Sequence, residues 1–236
     1  MNSATSGGPR GIVVAVDGTS GSGKSSTSRG VADRLGLRYL DTGAMYRAMT
    51  WWMLRHGVDV HDPAAVAARC GEPRIESGLD PLGPTIAVDG EDVAAAIRQP
   101  DVNAAVSPVS AVPEVRARMV RMQREAIEAA RSGAGIVVEG RDIGSTVWPD
   151  AAVKVFLSAD ASARATRRAA EEGGSDVSAT EQSLRARDEI DSGRAVSPLV
   201  RSEGAVHIDT TAYSLDEVID RVVALVARHD AVGSDA

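Results

Sequence analysis

Five apolar, strand-like runs are spread along the chain, and segments with helical patterning separate them. Val and Ile recur in these runs, and each run is only a few residues long, as expected for β-strands. The runs are "GIVVAVD" (11–17), "YL" (39–40), "AGIVVEG" (134–140), "AVKVFLS" (152–158) and "AVHID" (205–209). Strands that alternate with helices predict an α/β fold, in which a mostly parallel sheet carries helices on both faces.

One long helix is predicted over residues 113–132. It opens with Pro113, and apolar residues recur at helical spacing from Val115 through Met119. Gly133 follows its last turn and favours its end.

Two further helix starts are predicted from capping boxes. Ser178 is followed three residues later by Glu181, and Ser214 is followed in the same way by Glu217. In a capping box the hydroxyl and the carboxylate each accept a hydrogen bond from a backbone N–H of the first turn. We therefore expect helices to begin at these two serines.

Composition narrows the class of protein. The formal net charge of −7 and the pI near 5.2 argue against a general nucleic-acid binder, because the chain has no basic excess to neutralise a phosphate backbone. The single cysteine, Cys70, cannot form an internal disulfide, which suits a reducing compartment. No apolar run approaches the ~18 residues of a membrane span, and "MNSATSGGPR" lacks the apolar part of a signal peptide. We expect a cytoplasmic enzyme without membrane or nucleic-acid-polymer partners.

The stretch "GTSGSGKSS", after the first strand-like run, contains Lys24, one of only two lysines among 26 basic residues. Gly18, four residues, and then Gly23-Lys24-Ser25 have the spacing of a phosphate-binding P-loop between a strand and a helix. Glycines let backbone N–H groups turn toward a polyphosphate, and the next helix directs its positive end to the same anion. The candidate ATP-binding residues of this loop are Gly18, Thr19, Ser20, Gly21, Ser22, Gly23, Lys24, Ser25 and Ser26.

Roles within the loop follow from residue type. Lys24 is expected to contact the β- and γ-phosphates, because a compact charge on a flexible stem can reach between them. Ser25 or Ser26 is expected to help hold Mg²⁺, directly or through water, with Ser25 the metal candidate. No histidine lies in this loop, and His56, His61, His207 and His229 are interpreted as surface or packing residues.

Further candidates for binding phosphate groups follow two other strands. "DTGAMYR" places Thr42 and Arg47 five residues apart at a strand-to-helix junction, where a hydroxyl and a guanidinium can converge on one phosphate. "GRDIG" places Arg141 and Asp142 directly after a buried strand. Ligands of such sheets bind at the carboxyl ends of the strands, so both pairs are expected at the site.

Residues 161–194 are predicted to form two Arg-rich helices joined at Gly173 and Gly174. This joint indicates a segment that closes over the site and excludes water. Arg164 and Arg168 share a helix face, and Arg167 lies beside them.

Four motifs in this order, "VDGTSGSGKSS", "YLDTGAMYRA", "VEGRDIGSTVWPDA" and "RARDEIDSGRAVSPL", resemble those of the bacterial cytidylate kinases, which are P-loop nucleoside monophosphate (NMP) kinases. The resemblance spans about residues 11–228. The chain departs from the family at two places. Thr42 stands where the family commonly has Ser, and the threonine keeps the hydroxyl. The stretch "GSTVW" replaces a more apolar one. The resemblance implies a P-loop NTPase-type sheet, ATP with Mg²⁺, and CMP or dCMP as acceptor.

The resemblance also implies roles for single residues. Ser107, Arg116 and Asp142 would surround the base, although periodicity alone would place Arg116 on a solvated helix face. Arg187, Asp191 and Arg194 would lie at the sugar and phosphate of the acceptor. Arg164 is assigned to ATP binding, and the catalytic candidates are Lys24, Arg141, Asp142 and Arg168.

The predicted organisation joins these observations. The core, with the P-loop, comprises 10–60, 107–160 and 195–229; an NMP-binding insert comprises 61–106, a helical lid 161–194, and flexible tails 1–9 and 230–236. We expect a monomeric kinase that phosphorylates CMP or dCMP with ATP. Another small-molecule P-loop kinase and a noncatalytic ATP-binding module are alternatives; a regulatory GTPase would need an "NKxD" motif, which the sequence lacks.

Overall fold

The computed structural model describes residues 11–171, 174, 176–193 and 198–234. Its first half contains strands and helices in irregular alternation. In chain order they are β1 (Val13–Gly18), α1 (Lys24–Leu35), β2 (Arg38–Asp41), α2 (Thr42–Arg55), α3 (Pro63–Arg69), β3 (Ile75–Ser77), β4 (Ile86–Val88), β5 (Glu91–Asp92), α4 (Pro100–Ala111) and α5 (Pro113–Arg131).

The second half alternates more regularly. Its elements are β6 (Ile136–Gly140), β7 (Val153–Ser158), α6 (Ala161–Glu171), α7 (Val177–Ser192), β8 (Val206–Asp209) and α8 (Leu215–Ser234). A short π-helical turn, Ile143–Val147, follows β6. Within the described residues, no helix is both long enough and apolar enough to cross a membrane.

The main sheet has the strand order β2-β6-β1-β7-β8, and every neighbouring pair is parallel. These are the five strands predicted from the sequence. All six residues of β1 are buried, because neighbouring strands flank it and helices cover both of its faces. Alternate side chains enter different cores: Val13 and Ala15 pack toward α2 and α5, whereas Val14 and Val16 pack toward α1 and α8. The predicted α/β sheet with helices on both faces is confirmed.

A second, antiparallel sheet with the order β3-β4-β5 lies outside the main one. The sequence itself predicts one short β-like run here, "TIAVDGEDV" (85–93), whereas the structure forms three strands. Ile75, Ile86 and Val88 turn inward and join the core that contains α2 and α4. This sheet and its flanking helices thereby cover one side of the carboxyl end of the main sheet.

The predicted helix starts have different outcomes. At α8 the capping box is confirmed, because Ser214 N–H donates to Glu217 at 2.8 Å and Glu217 N–H donates to the Ser214 hydroxyl at 3.3 Å. At α7 the predicted box of Ser178 and Glu181 is wrong. That helix begins at Val177, and Asp176 caps it by accepting the N–H of Ser178 at 2.8 Å. A carboxylate one residue before the helix supplies the same acceptor, so the serine is not needed as a cap.

Candidate active site

The P-loop is a tight connection between β1 and α1. Gly18 lies so close to the next strand that a Cβ there would come within 2.0 Å of the Leu157 carbonyl oxygen. Gly23 precedes the helix with φ of +85°, a left-handed conformation that glycine adopts without strain. The sequence therefore builds a loop whose backbone N–H groups surround the start of α1.

Lys24 is buried at the first position of α1, and its Nζ donates to the Thr19 carbonyl at 2.6 Å. Burial lowers the pKa of Lys24, and the nearby positive charge of Arg141 lowers it further, while Glu139 opposes both effects. A buried ammonium held by one carbonyl and crowded by a guanidinium is stabilised by an incoming anion, because the anion supplies the missing negative charge.

A cavity opens beside the P-loop at the carboxyl ends of β1, β2 and β6. It brings together most of the residues that the sequence singled out. The cavity is lined by the candidates Ser20, Gly21, Lys24, Ser25, Thr42, Arg47, Ser107, Arg116, Arg141, Asp142, Arg168 and Asp191. Residues from the P-loop, the β2–α2 junction, α4 and α5, the end of β6, α6 and α7 thus converge on one space.

The junction of β2 and α2 contributes one wall. Thr42 donates its hydroxyl to the Glu139 carbonyl at 2.6 Å, which joins this junction to the end of β6. Arg47 donates to the Ile97 carbonyl at 3.1 Å and to the Asn103 side chain at 2.6 Å. These contacts hold a guanidinium at the rim between the main sheet and α4.

A buried ion pair of Arg116 and Asp142 is also part of the cavity lining. Their side chains are 3% and 6% exposed, and Arg116 also donates to the Ser110 carbonyl at 3.3 Å. The Arg116 guanidinium lies 5.5 Å from the centre of the Tyr46 ring. A carboxylate and a guanidinium are therefore presented side by side against an aromatic surface, with Ser107 in the same lining.

A second ion pair joins the end of β6 to α7. Arg141 Nε donates to Asp191 at 2.9 Å, and both side chains line the cavity. This contact places an Arg from the GRD motif beside the P-loop while a carboxylate holds its orientation. The Arg187 side chain and Arg194, assigned to the same end of the site, lie outside the described residues.

The three arginines of α6 take three different positions. Arg168 lines the cavity. Arg167 donates to the hydroxyl and the carbonyl of Thr210, at 3.1 and 2.7 Å, after β8. Arg164 is buried against the back of the P-loop and is not part of the cavity lining. The ATP-binding candidates that do not line this space are Gly18, Thr19, Ser22, Gly23, Ser26 and Arg164.

Glu139, the last side chain before the glycine that ends β6, lines the cavity and was missed by sequence reasoning. The Tyr39 hydroxyl donates to one of its oxygens at 2.6 Å. The buried Oε2 has no well-formed hydrogen bond within the described chain, and the Ser25 hydroxyl lies beside this carboxylate. Burial and the negative charge of Asp41 raise the pKa of Glu139. A carboxylate in an otherwise apolar strand run, "IVVEG", was the available signal.

Asp17, the second residue that sequence reasoning missed, connects the P-loop strand with the turn after the GRD motif. Its two carboxylate oxygens accept the N–H groups of Ile143 and Gly144, each at 2.8 Å. Burial raises the pKa of Asp17 to about 6, although these hydrogen bonds favour the charged form. The turn that follows Arg141 and Asp142 is thereby fixed to the end of β1.

Comparison with known proteins gives consistent matches over nearly the whole chain. A family model described as cytidylate kinase matches residues 14–228. The chain is 58% identical to a cytidylate kinase of Streptomyces coelicolor and 56% identical to one of Streptomyces avermitilis, each over 215 residues that cover 91% of this chain and 92% of the relative. Among solved structures, an uncharacterized protein from Eubacterium ventriosum aligns with a TM-score of 0.53 and 11% identity over 93% of this chain and 99% of that chain, which is a likeness of fold alone.

Proposed function

Because the chain belongs to the cytidylate kinase family, we propose that it transfers the γ-phosphoryl group of ATP to CMP or dCMP, giving ADP and CDP or dCDP. The observation that carries this proposal is a single cavity lined both by the P-loop lysine and by a buried carboxylate–guanidinium pair. The first is suited to a polyphosphate and the second to a base that presents both donors and acceptors.

The donor end stabilises charge and performs no covalent step. The N–H groups of the loop from Gly21 to Ser25 would surround the ATP phosphates, and Lys24 would exchange the Thr19 carbonyl for phosphate oxygens. The acceptor phosphate of a nucleoside monophosphate is itself an anionic nucleophile, so its attack on the γ-phosphorus needs positioning and no base.

The acceptor phosphate needs positive charge close to the transfer point. Arg47, Arg141 and Arg168 line the same cavity and would supply that charge. Asp191 holds Arg141, so this guanidinium is already oriented before the substrate binds. A fixed cation stabilises the developing charge without reorganisation, which is where such a site gains most of its rate.

Base choice would rest on Asp142 and Arg116, with Ser107 beside them. Cytosine presents an amine donor where uracil presents a carbonyl acceptor. The Asp142 carboxylate would accept from that amine, and Arg116 would donate to the acceptor edge of the ring. Uracil would leave the buried carboxylate facing a carbonyl oxygen, which is costly in a site closed to water.

Mg²⁺ is the ion that we propose accompanies ATP. The Ser25 hydroxyl and the unsatisfied oxygen of Glu139 lie at the same edge of the cavity, and hard cations prefer such oxygen ligands. The described part of the chain has no group of three or more His, Cys, Asp or Glu side chains that would hold a metal. Ser25 and Glu139 are the side chains that would hold the ion, and its charge would help to neutralise the transferring phosphoryl group.

The division into moving parts is likewise a proposal. We take residues 61–106 as the NMP-binding insert and 161–194 as a lid, since Arg98 in the first segment and Arg168 and Asp191 in the second line the cavity. We further propose a cytoplasmic monomer, as the single cysteine and the charge of −7 suggest. Light scattering of the purified protein at micromolar concentration tests the monomer, and a mass of two chains contradicts it.

A coupled assay of ADP release, run with CMP, dCMP, UMP, AMP and dTMP, tests the proposed activity. We expect the highest kcat/KM for CMP and dCMP. The Lys24→Ala variant is the control for contaminating kinases, because it removes the cation at the phosphates. Equal or higher kcat/KM with AMP or dTMP would reject the cytidine assignment and leave a P-loop kinase of other specificity.

A further inference from the structure

Asp188, on α7, connects the lid helices to the P-loop at a point that the proposed function does not use. Its Oδ1 accepts the backbone N–H of Ser20 at 2.9 Å, and its Oδ2 forms an ion pair with the Arg164 guanidinium. Arg164 also donates to the Ser20 carbonyl at 2.8 Å. Both polar atoms of the Ser20 main chain are therefore held by side chains from α6 and α7.

The packing around this contact is close. A Cβ at Gly21 would come within 3.3 Å of the Arg164 Cβ and 3.5 Å of a Leu184 methyl group. The side chains of Arg164 and Asp188 are 8% and 15% exposed, so water screens their charges poorly. The two helices thus lie directly on the P-loop, with a buried ion pair at the contact.

An acidic side chain at a polyphosphate site opposes binding unless a cation compensates for it. Here Arg164 compensates for Asp188, and the pair presents its remaining hydrogen bonds to the Ser20 main chain. We propose that Asp188 is a positioning residue for phosphoryl transfer: it fixes Arg164 and the Ser20 peptide, and so sets the shape of the P-loop that receives ATP. This inference rests on the proposed function, in that ATP occupies the P-loop.

Asp191 makes the proposal specific. It lies three residues after Asp188, nearly one turn along α7, but it pairs with Arg141 on the acceptor side of the cavity. One helix therefore carries one carboxylate to the donor site and another to the acceptor site. A generally structural role would affect both substrates equally, whereas positioning predicts that the loss falls mainly on ATP.

The test compares Asp188→Asn, Asp191→Asn and Glu189→Gln; Glu189 is an exposed neighbour on the same helix and serves as the matched control. Asn at position 188 keeps the shape and one acceptor but turns an amide donor toward Arg164 or toward Ser20 N–H. We expect Asp188→Asn to lower kcat/KM for ATP by about 10- to 100-fold, the loss of a charge-assisted hydrogen bond, with KM for CMP within about twofold of wild type. Asp191→Asn should change KM for CMP instead, and Glu189→Gln should change neither.

Two further measurements keep the outcome independent of the acceptor. Hydrogen exchange at the Ser20 amide should accelerate in Asp188→Asn and stay unchanged in Asp191→Asn. Calorimetry should likewise show weaker binding of ADP to Asp188→Asn and unchanged binding to Asp191→Asn. The double variant of Asp188→Asn with Arg164→Met should be no worse than either single variant, because the two side chains act as one unit. Wild-type ATP kinetics and Ser20 exchange in Asp188→Asn would overturn the proposal, as would equal losses for both substrates. Absence of CMP turnover in the wild-type protein would reject the proposed function, while Ser20 exchange and ADP binding would still decide the role of Asp188.

Discussion

Replacing either partner of the Arg116–Asp142 pair should affect both the stability of the fold and the recognition of the base, and the two effects can be measured separately. Arg116→Met keeps the length of the side chain and removes its charge, which leaves the Asp142 carboxylate, 6% exposed, without its counter-ion. Breaking a buried pair in this way costs about 3 to 5 kcal/mol of unfolding free energy. The double variant with Asp142→Asn contains no unpaired charge, so it should be more stable than Arg116→Met alone.

The effect on recognition is smaller and has a different pattern. Loss of one buried hydrogen-bonding partner of the base costs about 1 to 3 kcal/mol, which is roughly 10- to 100-fold in kcat/KM for CMP. The kcat/KM for UMP should fall less, because uracil has no amine that could donate a hydrogen bond to Asp142. Arg116→Met, Asp142→Asn and the double variant should therefore each lower the ratio of kcat/KM for CMP to kcat/KM for UMP, whatever their stability.

The assay measures kcat/KM for CMP and UMP at saturating ATP, alongside thermal unfolding of each variant. The ratio is the relevant quantity, since Asp142 lies close enough to the GRD arginine to affect the chemical step as well. KM for ATP is the internal control and should change little. If all variants slow CMP and UMP by the same factor, Arg116 and Asp142 do not read the base, and Ser107 becomes the next candidate.

Three other outcomes are expected. Lys24→Ala should lower kcat by about 10³-fold or more with little change in melting temperature. Lys24→Arg should not restore kcat, because a planar guanidinium does not fit between two phosphates. Near-normal turnover of Lys24→Ala would contradict the P-loop assignment. The described parts of α6 and α7 should gain protection from hydrogen exchange when an ATP analogue and CMP are both bound, and equal protection without ligands contradicts a lid. The pKa of Asp17 is raised to about 6 in the folded state, so the free energy of unfolding should fall by up to about 3 kcal/mol as pH rises from about 4 to about 6. Asp17→Asn should flatten that dependence in pH-resolved denaturant titrations, and an unchanged slope contradicts it.

Sequence reasoning located elements that one strong local signal defines. The five strands of the main sheet follow from Val- and Ile-rich runs, and the P-loop follows from glycine spacing, because local sterics decide both. The second sheet was only partly foreseen. Its strand β5 is two exposed acidic residues, Glu91 and Asp92, whose pairing depends on the neighbouring strand and not on their own preferences.

The hydrogen-bond and ion-pair partners of charged side chains were harder to predict than the helices and strands. The helical periodicity of the sequence predicts that Arg116 lies on a solvated face. In the structure the first turns of α5 face the cavity, and Arg116 is buried there. Glu139 and Asp17 read as parts of apolar strands, and their hydrogen bonds to Tyr39, Ile143 and Gly144 join segments about 100 residues apart or more. Such contacts depend on topology, which no local pattern encodes.

The spacing of Asp188 and Asp191 on α7 has a thermodynamic consequence. A helix moves as a rigid unit, so any displacement that improves the contact of one carboxylate with its arginine also changes the contact of the other. Occupancy of the donor site then alters affinity at the acceptor site, and linkage requires the reverse effect to be equal in size. Titrating ADP with and without CMP, and CMP with and without ADP, measures this coupling, and the two changes in affinity should be equal.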